Sequence, residues 1–391
     1  MIKKKILFVA TKTIFPPVTG DTQIIYNRLL ELSKSNEFEI SLIVVHRNQK
    51  DILGIEEYKK LCNQTWIFKL NFFNNLFVFL KILMGDQRPF QVIYYDNYHI
   101  KKKISKIILL KNFNIVNLYL IRSTFFLKNI NNKKILVDMI DLMSINFKRR
   151  ASSSKSLLLR FIYMIEYKRL ERYEKFIYEN TTKTILVADK ESINSTKEIS
   201  VIPLGIDTEL FKPNTNNKNF NIIFTGNMSY EPNIQAITWF IESCFEEILN
   251  KYKNSKLIIA GANPSKKIRS YSSTNIVVTG YIKSISEILN SASVAIAPMQ
   301  SGSGMQFKVL EAMSCGLPVV VTSLGLGSIK AIDKKELIIA DNDNTFSQSV
   351  INIFDDREKY EQLVIASRKF VLDNHSWIRH VDQVRKIFNS L

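Results

Sequence analysis

Apolar and polar residues fall in blocks along the chain: short β-branched runs alternate with longer segments of helical spacing. KKILFVAT (4–11) is a strand of the fully buried kind. A loop through Pro16, Pro17 and Gly20 follows, then a helix from Thr22 to about Ser33 carrying Ile24, Ile25, Leu29, Leu30 and Leu32. The pattern predicts further strands at 39–45, 65–70, 114–121, 134–141, 183–189 and 198–205, and a long helix from Ser156 to about Asn180. Strands alternating with helices argue a mostly parallel sheet covered on both faces.

The second half repeats the plan. Runs at 221–226, 256–261 and 275–280 each end in Gly, and 293–298 and 318–323 are two more strands. Between the last two, Phe307, Leu310 and Met313 have helical spacing, and Gly316 sits where the helix stops. Residues 354–391 form two amphipathic helices separated near Asn374–Ser376. Pro203, Gly205, Pro213 and the Asn-rich 214–219 interrupt the blocks, which places a domain boundary near 205–219.

At 391 residues with 46% hydrophobic content, the chain is long enough for two domains with filled cores. Cys62, Cys244 and Cys315 are scattered in apolar contexts and read as reduced core thiols of a cytosolic protein. The four histidines show no metal-ligand spacing, so no metal site is expected. The apolar run of MIKKKILFVATK is too short for a signal-peptide core or a spanning helix.

Charge separates the halves. Residues 1–200 hold 34 Lys and Arg against 18 Asp and Glu, whereas residues 201–391 hold 20 against 18, so the two halves face different partners. Basic clusters at 101–103, 133–134 and 148–150 lie near the apolar, aromatic stretches 72–84 and 157–167. That combination suits an anionic membrane surface, where each cation contributes about 1 kcal/mol. The same stretches also suit core helices beside solvated lysines. No nucleic-acid module pattern is present.

Candidate chemistry gathers at strand ends. Ser301-Gly302-Ser303-Gly304 precedes a helix whose bare N–H groups favour a phosphate-sized anion, although such a turn also serves as a plain connection. Glu311, two turns on, can accept from sugar hydroxyls behind that phosphate, and Lys308 can neutralise it or remain a solvated charge. Gly226 with Asn227 borders the same edge, and Tyr281 with Ile282 is placed to meet a nucleotide base. In the first half, Gly20 lies at the carboxyl edge, Arg122 follows a strand, and Asp138 and Asp141 close another, positions that caps and local salt bridges also use. No GxGxxG or GxxxxGK[ST] loop is present, so a nicotinamide enzyme or a P-loop fits poorly.

GSGMQFKVLEAMSCGLPVVVT (302–322) resembles the donor-nucleotide segment of the group-1, family 4 glycosyltransferases of GT-B fold, and VIPLGIDTELFKP (201–213) resembles their interdomain hinge. The resemblance implies two Rossmann-like, doubly wound domains facing across a cleft: 1–205 for the acceptor, a linker at 206–219, 220–374 for the nucleotide-sugar, and a last helix, 375–391, that crosses back and carries Trp377 as an aromatic anchor. It places Glu311 on the donor ribose, Lys308 on the departing diphosphate, and Ser303, Gly304, Met305 and Gln306 around the phosphates. It also places Gly20 and Asp21 on the acceptor loop, and Asp141 and Arg122 beside the reacting sugar. The chain departs from the family pattern at Ser303, where many members carry Glu, and at 137–147, where Asp141 and Ser144 stand in place of the usual His.

The expected activity is metal-independent, retaining hexosyl transfer without a cofactor. The donor would be a UDP-, GDP- or ADP-sugar, and the acceptor a saccharide, lipid-linked or anionic, of capsule or lipopolysaccharide synthesis at the inner face of the cytoplasmic membrane. A nucleotide-sugar epimerase and a non-catalytic sugar-nucleotide-binding subunit are the alternatives on the same fold.

Overall fold

The computed structural model describes residues 3–17, 19–47, 54–70, 78, 80–82, 84–130, 133–154, 156–187, 199–214, 219–301 and 306–391. The chain divides into two units, Met1–Pro203 with His380–Leu391, and Leu204–Arg379. Among the described residues, no helix is long and apolar enough to cross a membrane.

The first unit is a seven-stranded parallel sheet in the order β3-β2-β1-β4-β5-β6-β7. Its strands are β1 (Lys4–Ala10), β2 (Phe38–His46), β3 (Gln64–Lys69), β4 (Ile115–Tyr119), β5 (Lys134–Ile140), β6 (Lys183–Leu186) and β7 (Ile199–Val201). β1, β2, β4 and β5 are buried along nearly their whole length because helices cover both faces, and apart from Ser41, His46, Asn117 and Asp138 their buried residues are apolar. On one face Leu7, Val9, Val116, Leu118 and Val137 pack against helices α3 (Tyr98–Lys111) and α5 (Leu157–Asn180). On the other lie α1 (Gly20–Ser33) and the last helix, Trp377–Ser390, whose Phe388 meets Phe8 and Phe38 edge-on. Lys4 Nζ donates to the carbonyls of Phe388 and Asn389 at 3.0 Å, a cation capping the end of that helix.

This second face holds a buried polar chain. Arg28 of α1, with no solvent exposure, forms an ion pair with Asp138 of β5, and its Nη2 donates to His380 Nε2 at 3.0 Å. A guanidinium only donates, so Nε2 is the acceptor, and the ring proton sits on Nδ1, which donates to the Pro203 carbonyl at 2.6 Å. Asp138 therefore belongs to the core, which corrects its expected place at the ligand edge: it points inward within β5.

The long helix α5 is tied down by two buried carboxylates. Glu166 accepts from the Phe90 N–H at 2.9 and 3.1 Å, at the start of α2 (Phe90–Tyr95). Glu174 accepts from the Ser144 N–H at 3.0 Å and its hydroxyl at 2.5 Å, at the start of α4 (Met143–Ser153). Ser144, expected near the ligand edge, is thus the partner of a helix-capping carboxylate.

The second unit is a six-stranded parallel sheet in the order β10-β9-β8-β11-β12-β13. Its strands are β8 (Ile222–Thr225), β9 (Leu257–Ala260), β10 (Ile276–Gly280), β11 (Val294–Ala297), β12 (Val319–Val321) and β13 (Ile338–Ile339). Its core includes Phe224, Phe240 and Phe346 packed around the sheet. Three helices matter below: α6 (Glu231–Ser243), α7 (Phe307–Ser314) and α8 (Arg357–Asn374). Arg368 of α8 donates to the carbonyls of Phe211, Ser314 and Thr208 at 2.6–2.9 Å, fastening residues 208–211 to the unit. Trp377 packs where any side chain on Gly205 would sit, 2.2 Å from the position of an added Cβ.

Two expected strands differ and one is new. β4 stops at Tyr119 and a 3-10 helix, Ile121–Asn129, takes the rest of its apolar run; β7 spans only Ile199–Val201; and β13, two residues long, has no counterpart among the expected strands. The stretch 72–84 and the turn 302–305 lie mostly or wholly outside the described residues.

Burial pushes the Glu166 and Glu174 carboxyls up to about 7, their hydrogen-bond donors opposing it. A folded value above the unfolded one, about 4.3, contributes stability that is complete below that pH and is lost as pH rises through the folded value. Glu174→Gln keeps both Ser144 contacts and removes the titration. Its Tm is therefore expected to gain on the wild type between about pH 4.5 and 7; parallel Tm curves for the two proteins would contradict the assignment.

Candidate functional site

The strand order of the second unit reverses between β8 and β11, and at such a point neighbouring connections leave in opposite directions and open a crevice at the carboxyl edge. Gly226 and Asn227 follow β8 there, and Pro298 and Met299 follow β11. Gly226 has φ +155° and Gly261 φ +150°, and a Cβ on Gly261 would lie 1.7 Å from the Gly226 carbonyl oxygen. Only glycine permits this approach, which leaves the ends of β8 and β9 as bare backbone.

α7 enters from β11 and places Lys308 at this crevice. Its Nζ donates to Asn233 Oδ1 at 2.6 Å, lies 3.8 Å from Met299 Sδ and stands 4.4 Å from the centre of the Phe224 ring. Asn233, in the first turn of α6, uses its amide to donate to the Asn227 carbonyl at 2.9 Å. One side chain therefore fixes both the turn after β8 and the lysine. Asn227 Oδ1 accepts from the Ser229 N–H and hydroxyl at 3.0 and 2.8 Å, which closes that turn.

Among the described residues the contacts of Lys308 Nζ are to an amide oxygen, a thioether and a ring, with no carboxylate at ion-pair distance. Burial lowers its pKa to about 7, with the Glu311 charge opposing, and raises that of Glu311 to about 7, with Lys308 opposing. Desolvation thus works against the charged form of each group. An anion at the start of α7 would favour the charged form of Lys308, and would also meet first-turn N–H groups that have no carbonyl inside the helix.

Of the residues read from the sequence, Gly226, Asn227, Lys308 and Glu311 are brought to one edge. Gln306 is buried immediately before α7. Tyr281 follows β10 and is 79% exposed, and Ile282 is half-buried beside it. Ser303, Gly304 and Met305 lie outside the described residues. Sequence reasoning missed Asn233, Phe224 and Met299. The available signal was Pro232, which marks the first turn of α6 and so sets Asn233 beside Gly226.

The first unit has its own reversal, between β1 and β4. Gly20 opens α1, and Asp21 pairs with Lys12 at 2.6 Å and Arg122 at 3.5 Å, while the Tyr119 phenol donates to the Asp21 carbonyl. Burial works to raise the Asp21 pKa, but the Lys12 and Thr19 hydrogen bonds and the charges of Lys12 and Arg122 hold it below the usual value. Leu120 and Ile140, at the ends of β4 and β5, have φ +67° and +64°, which is strained for branched side chains. Arg122 and Asp141 follow these kinks, and burial raises the Asp141 carboxyl to about 6, with Arg149 opposing.

Comparison with known proteins gives these edges a context. Residues 219–356 match the family model of the glycosyl transferases group 1. An uncharacterized 44.6 kDa protein in the cps region of Klebsiella pneumoniae is 23% identical over 408 residues, covering 99% of this chain and 98% of that protein. Sucrose-phosphate synthase from Thermosynechococcus elongatus superimposes with a TM-score of 0.72 at 12% identity, covering 99% of both chains. HepE from Anabaena, in complex with UDP, does so at 0.64 and 11%, covering 99% of this chain and 100% of that one. Residues 219–356 thus match the group 1 glycosyl transferases, and the chain as a whole has the GT-B fold.

Proposed function

We propose that the protein transfers a sugar from a nucleotide-sugar to a saccharide acceptor during synthesis of a surface polysaccharide. The observation that carries this reading is Lys308, partly buried beside bare backbone at the β8/β11 crevice with only neutral partners. Related proteins support it: HepE binds UDP, and the Klebsiella relative is encoded in a cps region.

In this reading the second unit holds the donor. Gly226, Asn227 and the segment Ser303, Gly304, Met305 and Gln306 surround the diphosphate, Glu311 accepts from the ribose, and Tyr281 and Ile282 meet the base. The glycosyl–oxygen bond breaks with its electron pair moving to the diphosphate, and the charge that develops there is stabilised by Lys308 and the start of α7. A fixed cation at this position takes the place of a metal ion. The anomeric carbon then bonds to an acceptor hydroxyl, with retention of configuration, and that hydroxyl loses its proton. Gly20 and Asp21 bind the acceptor in the first unit, and Arg122 and Asp141 act beside the reacting sugar. An Asp141 carboxyl titrating near 6 is suited to exchanging that proton near neutrality.

The acceptor is taken to be lipid-linked or anionic, and the protein to work at the inner membrane face. Leu157, Leu158 and Phe161, at the start of α5, are 82, 69 and 64% exposed. Around them, residues 142–165 carry Lys148, Arg149, Arg150, Lys155 and Arg160 and no acidic residue. Exposed apolar side chains among cations match an anionic lipid surface.

Two measurements test these assignments. In a thermal-shift panel of UDP-, GDP-, ADP-, CMP- and dTDP-sugars, one nucleotide class at 100 times its Kd should stabilise the fold by about 2.7 kcal/mol. Lys308→Met, close in shape, should weaken that binding by about tenfold or more, the scale of a lost charge-assisted hydrogen bond; full binding by the variant would remove Lys308 from the site. In co-sedimentation at low salt, the wild type should bind vesicles containing anionic lipid and not neutral ones, and Leu158→Asp with Phe161→Asp should abolish it. Unchanged binding by the double variant would overturn the membrane assignment.

A further inference from the structure

The first unit contains a cavity of about 380 Å³ on the sheet face opposite α1, between the 3-10 helix Ile121–Asn129, the start of α3 and the middle of α5. Its size is within the range of small-molecule sites, about 300–1,000 Å³. Five cations line it, Arg88, Lys101, Lys128, Arg169 and Arg172, and among the described residues no carboxylate does. Its inner wall is apolar and aromatic: Phe125, Leu127 and Tyr173 are buried, and Phe176 is half-buried.

The cations are of two kinds. Arg88 pairs with Asp86 and Asp96 at 2.6 Å, and Lys101 with Asp96 at 2.5 Å, so their charge is already compensated within the fold. The other three make neutral contacts. Arg172 donates to Gln87 Oε1 at 2.8 Å and the Lys168 carbonyl at 3.2 Å, and Arg169 donates to the Arg88 carbonyl at 3.1 Å while stacking 4.7 Å from the Phe90 ring centre. Lys128 stands 5.4 Å over Phe176. Glu166 lies near enough to feel the Arg169 charge, but both its oxygens are turned to the Phe90 N–H. Among the described residues, therefore, three cations without a carboxylate partner rim an aromatic cavity.

We propose that this cavity binds an anionic amphiphile, a phosphate or diphosphate ester of an apolar alcohol. The phosphoryl oxygens meet Lys128, Arg169 and Arg172, for which a guanidinium pair is well shaped, and the apolar chain lies against Phe125, Tyr173 and Phe176. An inorganic anion alone would leave the aromatic wall in water, and a neutral amphiphile would leave three charges uncompensated. The site uses none of the residues assigned to the donor or to the carboxyl edges, so it stands or fails separately from the transferase reading.

The test is calorimetric titration of the full chain with dodecyl phosphate below its micelle concentration, beside inorganic phosphate, dodecyl maltoside and UDP. Lys128→Glu with Arg172→Glu alters two exposed side chains of the rim. Lys168→Glu with Lys175→Glu alters two exposed lysines of α5 outside the cavity lining by the same net charge. Dodecyl phosphate should bind one to one and about tenfold or more tighter than inorganic phosphate; the rim variant should lose about tenfold or more, and the control variant less than about twofold. Saturation with UDP should not displace it. Equal affinity for inorganic phosphate or for the maltoside would overturn the ligand class. Equal losses in the two variants would reduce the effect to diffuse charge, and displacement by UDP would place the ligand in the nucleotide site; either result overturns the proposal.

Discussion

A lysine set among an aromatic ring, a thioether and one amide oxygen gives up hydration that only an anion can replace. Lys308 is in that position, and the second unit is arranged to put it there. The strand reversal opens the crevice, Gly226 and Gly261 clear it of side chains, and Asn233 ties the lysine to the turn after β8. Removing any of these changes where the charge stands or what can approach it. The local cost of desolvation and the capacity to bind a phosphate are therefore one property.

The first unit solves a different problem with buried charge. Arg28 and Asp138 have no exposure, and a pair of that kind is retained because losing one partner strands the other, at a cost of about 3–5 kcal/mol. Through His380 the pair also reaches Pro203 and the last helix, so the return of the chain to this unit is written into one polar chain. Glu166 and Glu174 do comparable work for α5, each satisfying the first N–H groups of another helix. These groups hold elements in place. The charges available for ligands lie at the carboxyl edge around Asp21 and Arg122, and on the rim of the aromatic cavity.

Much of this was legible in the sequence because parallel strands buried on both faces are mostly apolar runs. β1, β2, β5, β8, β9 and β11 fall within a residue or so of their expected positions. β13 was missed because two residues carry no periodicity, and the 3-10 helix after β4 was hidden by an apolar run that continues past the strand. Asp138 was misplaced because a strand pattern shows alternation but not which buried partner a charge will find. Gly226, Lys308 and Glu311 could be read because strand-terminal glycine and a helix start are local features. Asn233 could not, since its role depends on contacts 6 and 75 residues away. The cavity beside α5 was equally out of reach, its lining drawn from four separated segments.

The most direct test of the central claim is hydrogen exchange of the full chain with and without saturating UDP, GDP, ADP, CMP or dTDP. One of these nucleotides should slow exchange at Gly226–Tyr230 and at Gln306–Glu311, and Lys308→Met should remove the protection at both. Protection confined to other segments, or at neither segment with any nucleotide, would contradict it.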